Sequence, residues 1–172
     1  MAAGLLLLPL AAMAITDEMV WDAADFAILA VMLLAACGAH ELVVRLTGSK
    51  AFRAAVGVAV VAAFILVWIN LAVGIIGSED HPANLIFAGV IAVALLGTLI
   101  ARLRPWGMAR ALAATALAQV VAGAVALVAG WGSAGANWPG AIVVLTGFFA
   151  SLWLLSGWLF LKAAREQAGS IG

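Results

Sequence analysis

The sequence predicts an all-α integral membrane protein, a bundle of five transmembrane helices preceded by a short apolar N-terminal segment. Three observations carry that expectation. Mean hydropathy is +1.25. Of the 172 residues, 67% are apolar and 9% charged, where a soluble domain carries about 25% charged residues. The apolar residues also fall in runs long enough to cross a ~30 Å hydrocarbon core, which takes about 20 residues of helix. A soluble fold of this length has too little interior to hide so much apolar surface.

In chain order, residues 1–15 are apolar and interrupted only by Pro9. At ~1.5 Å per residue they fall short of a span. Ala12-Met13-Ala14 resembles a signal-peptide cleavage site, yet no basic residue precedes it, so a partial or interfacial helix is expected. Asp17, Glu18, Asp22 and Asp25 follow. Asp22 and Asp25 have the spacing of an N-cap and an N3 acid, which starts the first span, 23–46. Thr47-Gly48-Ser49-Lys50 closes it. The second span covers 52–76 and stops at Gly77, a plausible left-handed end. Ser78-Glu79-Asp80-His81 forms a turn, and Pro82 suits the first turn of the third span, 82–103. Arg104-Pro105-Trp106-Gly107 breaks the helix. The fourth span covers 108–130, a loop rich in small residues runs to Gly140, and the fifth covers 141–162 before a short polar tail.

The basic residues orient these spans. Arg45, Lys50, Arg53, Arg102, Arg104, Arg110, Lys162 and Arg165 are all the Lys and Arg of the chain, and the five-span arrangement puts them on one side. By the positive-inside rule that side, with the C-terminus, is cytoplasmic. Asp17, Glu18, Asp22, Asp25, Glu79 and Asp80 fall on the other.

Within the spans, small residues recur every four positions: Ala114, Ala118, Ala122, Ala126 and Gly130 in the fourth, and Ala51, Ala55, Ala59 and Ala63 in the second. Such seams let helix backbones approach closely. They would serve packing within the chain, or a contact with another subunit. Alanine-rich composition alone is the alternative. The intramembrane polar residues are Asn70, Gln119 and Ser151. Gln119 and Ser151 share a depth, with Asn70 on the order of 10 Å further toward the acidic side. As interhelical glue, Asn70 would bond a neighbouring helix near Gly89 or Thr146. Glu41 and Arg45 form a favourable i, i+4 pair beside His40. Cys37, the single cysteine, sits in an apolar run and reads as a buried thiol.

Glu79, Asp80 and His81 make an acidic turn. Imidazole and carboxylate are ordinary metal ligands, but three consecutive turn residues converge poorly on one ion, so no metal site is assigned. No zinc-protease, nucleophile-elbow, P-loop or dinucleotide motif is present, and the two histidines lie at opposite faces. Neither catalytic residues nor a cofactor are therefore expected, and nothing supports nucleic-acid binding.

The run from Asn70 through Gly77-Ser-Glu-Asp80, followed by Pro82-Ala-Asn-Leu85 and Gly107-Met-Ala-Arg-Ala-Leu112, resembles a group of small multi-pass bacterial inner-membrane proteins. The likeness covers most of the chain from Thr16 onward. It implies residence in the bacterial inner (plasma) membrane and no particular activity. Two function classes follow. One is a non-enzymatic structural or accessory subunit that binds partner helices, as a homo-oligomer or with another membrane subunit, through the small-residue seams. The other is a small transporter or channel for a cation or small solute, lined by Asn70, Thr98, Gln119 and Ser151, with the acidic face gathering cations.

Overall fold

Among the described residues there are five helices long and apolar enough to cross a membrane, and no strand. They are seen in a computed structural model that describes residues 23–47 and 49–169. Residues 1–15, Asp17, Glu18 and Asp22 lie outside the described residues, as does the side chain of Asp25. The chain divides into two compact units, Met1–Leu46 and Thr47–Gly172.

In the first unit, helix α1 spans Ala23–Leu46, the bounds expected. Near its end Arg45 Nε donates to Glu41 Oε1 at 2.8 Å, with both side chains exposed. This pair, one helical turn apart, holds the last turn beside the exposed His40. Cys37 is not buried as its sequence context suggests; it is free and exposed. An apolar neighbourhood cannot separate a lipid-facing position from a core position, because lipid tails are as apolar as a core.

The second unit holds α2 (Lys50–Ala72), a 3-10 turn (Pro82–Leu85), α3 (Ile86–Ala101), α4 (Pro105–Val128) and α5 (Gly140–Gly169). The four helices alternate in direction. α4 lies along both α3 and α5, and α5 lies along α2, whereas α2 and α3 touch only slightly. Trp153, Phe149, Phe160, Phe87, Leu66 and Leu112 fill the centre. Small residues set the spacing between helices. A Cβ at Gly97 would stand 2.7 Å from Ala111 Cβ, one at Gly107 2.9 Å from Ala101 Cβ, and one at Gly123 would collide with Thr146. Ser156, fully buried on α5, donates through Oγ to Ala55 O of α2 at 2.7 Å. One turn beyond, the rings of Phe52 and Phe160 meet edge to face at 5.0 Å.

The helix ends after α1 differ from expectation by one to seven residues, and four of them do so for an evident local reason. α2 ends at Ala72 rather than at 76, because Ile75 and Ile76 turn their amides to the Asn84 side chain. α3 ends at Ala101 rather than at 103, since Arg102 and Leu103 are left-handed, at φ 48° and 57°. α4 begins at Pro105 rather than at 108. Proline at the first helical position has no amide to leave unpaired, so it opens the helix there. α5 runs to Gly169 rather than to 162, with Ala163 and Ala164 buried and Glu166 Oε2 accepting from Ser49 Oγ at 3.4 Å.

Candidate functional site

The loop joining α2 to α3 is built around one amide side chain. After Ala72, the amides of Val73 and Gly74 both donate to Ile69 O, at 3.0 and 2.9 Å. Gly74 takes φ +75°, where a Cβ would run into the Ser78 carbonyl, so only glycine allows the chain to turn away here. Ile75 and Ile76 then pass into the interior, 2% and 0% exposed. Their amides need acceptors, and Asn84 Oδ1 serves both, at 3.1 and 2.9 Å. Asn84 Nδ2 donates to Ser78 O at 2.7 Å and to Ile76 O at 3.4 Å. A single buried amide thereby uses its donors and acceptor on three backbone positions of the preceding turn.

His81 caps the 3-10 turn by accepting the Ala83 amide at Nδ1, 3.2 Å away. That bond places the imidazole hydrogen on Nε2. The sequence singles out His81 for its metal-ligand chemistry; the fold uses it to begin a helix. Among the described residues, no group of three His, Cys, Asp or Glu converges as a metal site would require.

Where α2 and α3 part, a cleft of about 360 Å³ opens at the acidic end of the bundle. Leu66, Val67, Leu71, Phe87 and Ile91 wall it, and Glu79, Asp80 and His81 stand at its rim. Asn70 also lines it. Its Nδ2 donates to Leu66 O of the same helix at 2.8 Å, while its Oδ1 is buried with no partner among the described residues. Among the described residues Asn70 therefore bonds no neighbouring helix, near Gly89, Thr146 or elsewhere. It satisfies its donor one turn back, and its acceptor is closed off from solvent. Glu79 and Asp80 are both exposed. A second cavity, of about 320 Å³, lies on the other side of the α2 end and includes Ile69, Gly74, Gly132, Trp138 and Leu145 in its lining. There a Cβ at Gly132 would stand 2.7 Å from the Gly77 amide nitrogen, so two glycine turns touch at this end.

The other polar residues do not join the cleft. Gln119 is fully buried on α4, and neither its Oε1 nor its Nε2 has a partner among the described residues. Ser151 is exposed on α5 and donates to Gly147 O of its own helix at 2.7 Å. Thr98 does the same with Ala94 O at 2.8 Å.

The four-residue seams are divided by helix geometry. On α4, Ala122 and Ala126 are buried, Ala118 is half-buried and Ala114 exposed, with Gly130 beyond the helix end. At ~100° per residue, each four-residue step gains ~40°. Five such positions therefore wind about 160° around the helix and leave the interface. The stripe that stays inside is Met108, Leu112, Thr115, Gln119, Ala122 and Ala126, alternating steps of four and three. On α2, Ala55 is buried while Ala59 and Ala63 are half-buried, and the interior stripe shifts to Ala62 and Leu66.

Asn84 is the organising residue of this loop that the sequence reading overlooks. Its signal was a lone amide in the first turn of an apolar span, just after two glycines three positions apart. Compared with protein-family models, curated proteins and solved structures, the chain matches none. The site rests on its geometry.

Proposed function

We propose that this protein is a non-enzymatic accessory subunit of the bacterial inner membrane, with its C-terminus cytoplasmic, that binds a partner transmembrane helix through the exposed face of α5. The partner belongs to a second copy or to another membrane subunit. One observation carries the reading, the Gly147–Ser151 step. Both residues are exposed, and a Cβ at Gly147 would meet nothing within 4 Å. The Ser151 hydroxyl lies down on its own helix at Gly147 O. Together they bare the backbone near mid-span, in the small-xxx-small pattern that lets a second helix approach closely. Val143, Val144, Leu154, Leu155 and Trp158 extend the same exposed face above and below it. The alanine seams of α2 and α4 favour this division of labour, since much of their close packing is already used within the chain.

Transport is the less favoured reading. A path would need Asn70, Thr98, Gln119 and Ser151 to face one channel. Two of them bond only their own helix, a third bonds its own helix and lines the cleft, and the fourth is sealed inside the bundle.

Gly147→Leu and Ser151→Leu test the proposal in mild detergent, with native mass spectrometry to report copy number and co-purifying subunits. Both variants are expected to keep wild-type melting and lose the associated species, because Gly147 has open space around its Cβ position among the described residues and Ser151 is exposed. Wild-type association in both would overturn the assignment of α5 as the partner face.

A further inference from the structure

We propose that His81 is an acid-sensitive latch on the α2–α3 loop. Protonating its imidazole releases the start of the 3-10 turn and, with it, the chain that leaves α2. The device is independent of the α5 face.

The latch is a bond that only one charge state of the ring can make. His81 Nδ1 accepts the Ala83 amide at 3.2 Å, and it needs a free lone pair to do so. The imidazolium carries a hydrogen on both nitrogens and accepts nothing. The cap is therefore present while the ring is neutral and lost as the pH falls. Histidine is the side chain whose charge changes between about pH 5 and 8. His81 is only half-buried, so protons reach it from water. Ser49 caps α2 in the same way with a hydroxyl, through the Phe52 amide at 3.2 Å, and no pH in that range alters it.

The surroundings supply the other state. Glu79 and Asp80, both exposed, precede His81 directly and line the same cleft, with no Lys or Arg among its walls. Neither α3 nor residues 129–139 between α4 and α5 contain an acidic, basic or histidine residue. On α2 the only charged residues are Lys50 and Arg53, at the opposite end of the helix. A protonated Nδ1–H thus has two carboxylates to donate to and no cation to oppose it.

Release spreads through the contacts of the ring and its backbone. The ring lies against Gly77, where a Cβ would meet His81 Cδ2 at 3.4 Å and Gly132 Cα at 3.5 Å. His81 O accepts the Asn84 amide at 3.0 Å, and the Asn84 side chain holds the amides of Ile75 and Ile76. Turning the imidazole away uncaps the turn that carries Asn84 and withdraws a wall from the place where the two loops touch.

Amide hydrogen exchange on the 15N-labelled full chain in detergent micelles tests the latch. Protection factors at about pH 7.5 and about pH 5.0 bracket the imidazole range and remove the intrinsic pH dependence of exchange. Protection of the Ala83 amide is expected to fall about 5–30-fold at the lower pH, the factor for losing an N-cap bond, with smaller losses at Ile75 and Ile76. In His81→Asn the cap is kept by a side chain that takes up no proton, so protection should be equal at both pH values. His40 is present in both proteins and cancels from the comparison. Imidazole 15N shifts of the wild type give a second reading. Nδ1 of His81 should be the bare nitrogen at the higher pH and gain its proton over the interval in which Ala83 is released. A ring that stays neutral at the lower pH would overturn the proposal. So would unchanged protection of Ala83, or of Ile75 and Ile76, or an equal loss in His81→Asn.

Discussion

Gln119 and Asn84 are both buried amides in apolar helices, and the fold treats them oppositely. Asn84 satisfies three backbone positions. Gln119 satisfies none among the described residues, though it is 0% exposed at the centre of the α4 stripe. A buried amide without partners costs about 1–3 kcal/mol relative to an apolar group of the same shape. Gln119→Met keeps the length and removes the amide, so it is expected to stabilise the protein by about 1 kcal/mol, read as a higher melting temperature in detergent. A lower melting temperature would mean that the amide is satisfied in the native state. Neither outcome was legible from sequence. Depth arithmetic placed Gln119 near mid-membrane, but which way a polar side chain faces depends on which stripe the helix buries.

Among the elements, the α2–α3 connection is the one whose stability rests on a single side chain. In Asn84→Ala the amides of Ile75 and Ile76 lose their acceptor while both residues stay buried. The expected cost is about 2–4 kcal/mol, seen as a lower melting temperature. Asn84→Asp keeps the acceptor and loses the two donated bonds, so it should fall between Ala and wild type. Equal melting of Asn84→Ala and wild type would remove Asn84 from this role. The number and order of helices were readable from apolar runs and turn residues because both obey local rules. Their ends were not. Asn84 stops α2 from twelve residues beyond its last residue, Ala72, and Pro105 opens α4 at a place where proline also reads as a break. The seams show the same limit: a repeat of four is visible in a string, while the ~40° drift that carries it off the interface appears only once the helix is turned in space.

For the whole molecule, the arrangement separates charge along the bundle. In the second unit Lys50, Arg53, Arg102, Arg104, Arg110, Lys162 and Arg165 occur where α2 and α4 begin and where α3 and α5 end. Glu79 and Asp80 occur at the opposite ends, in the α2–α3 loop. By the positive-inside rule the basic ends are expected on the cytoplasmic side. In a Cys37→Ala background, cysteines at Ser78 and at Gly169, exposed at opposite ends of the unit, should divide cleanly in whole cells. An impermeant thiol reagent is expected to label position 78 and spare 169, and the reverse pattern would invert the topology. This much of the architecture was present in the sequence, because charge and hydropathy follow depth directly. The cleft was not, since it arises from two consecutive helices parting while α2 packs on α5 and α3 on α4. One consequence lies at the far end of α5. Its helix continues past Lys162 for seven residues, to Gly169, or roughly 10 Å of rigid rise. As far as Gly169, this end of α5 is thus a rigid mast rather than a slack tether. A reporter mounted on it would swing with any tilt of the α5 face, turning an event inside the membrane into a displacement that can be followed from the water.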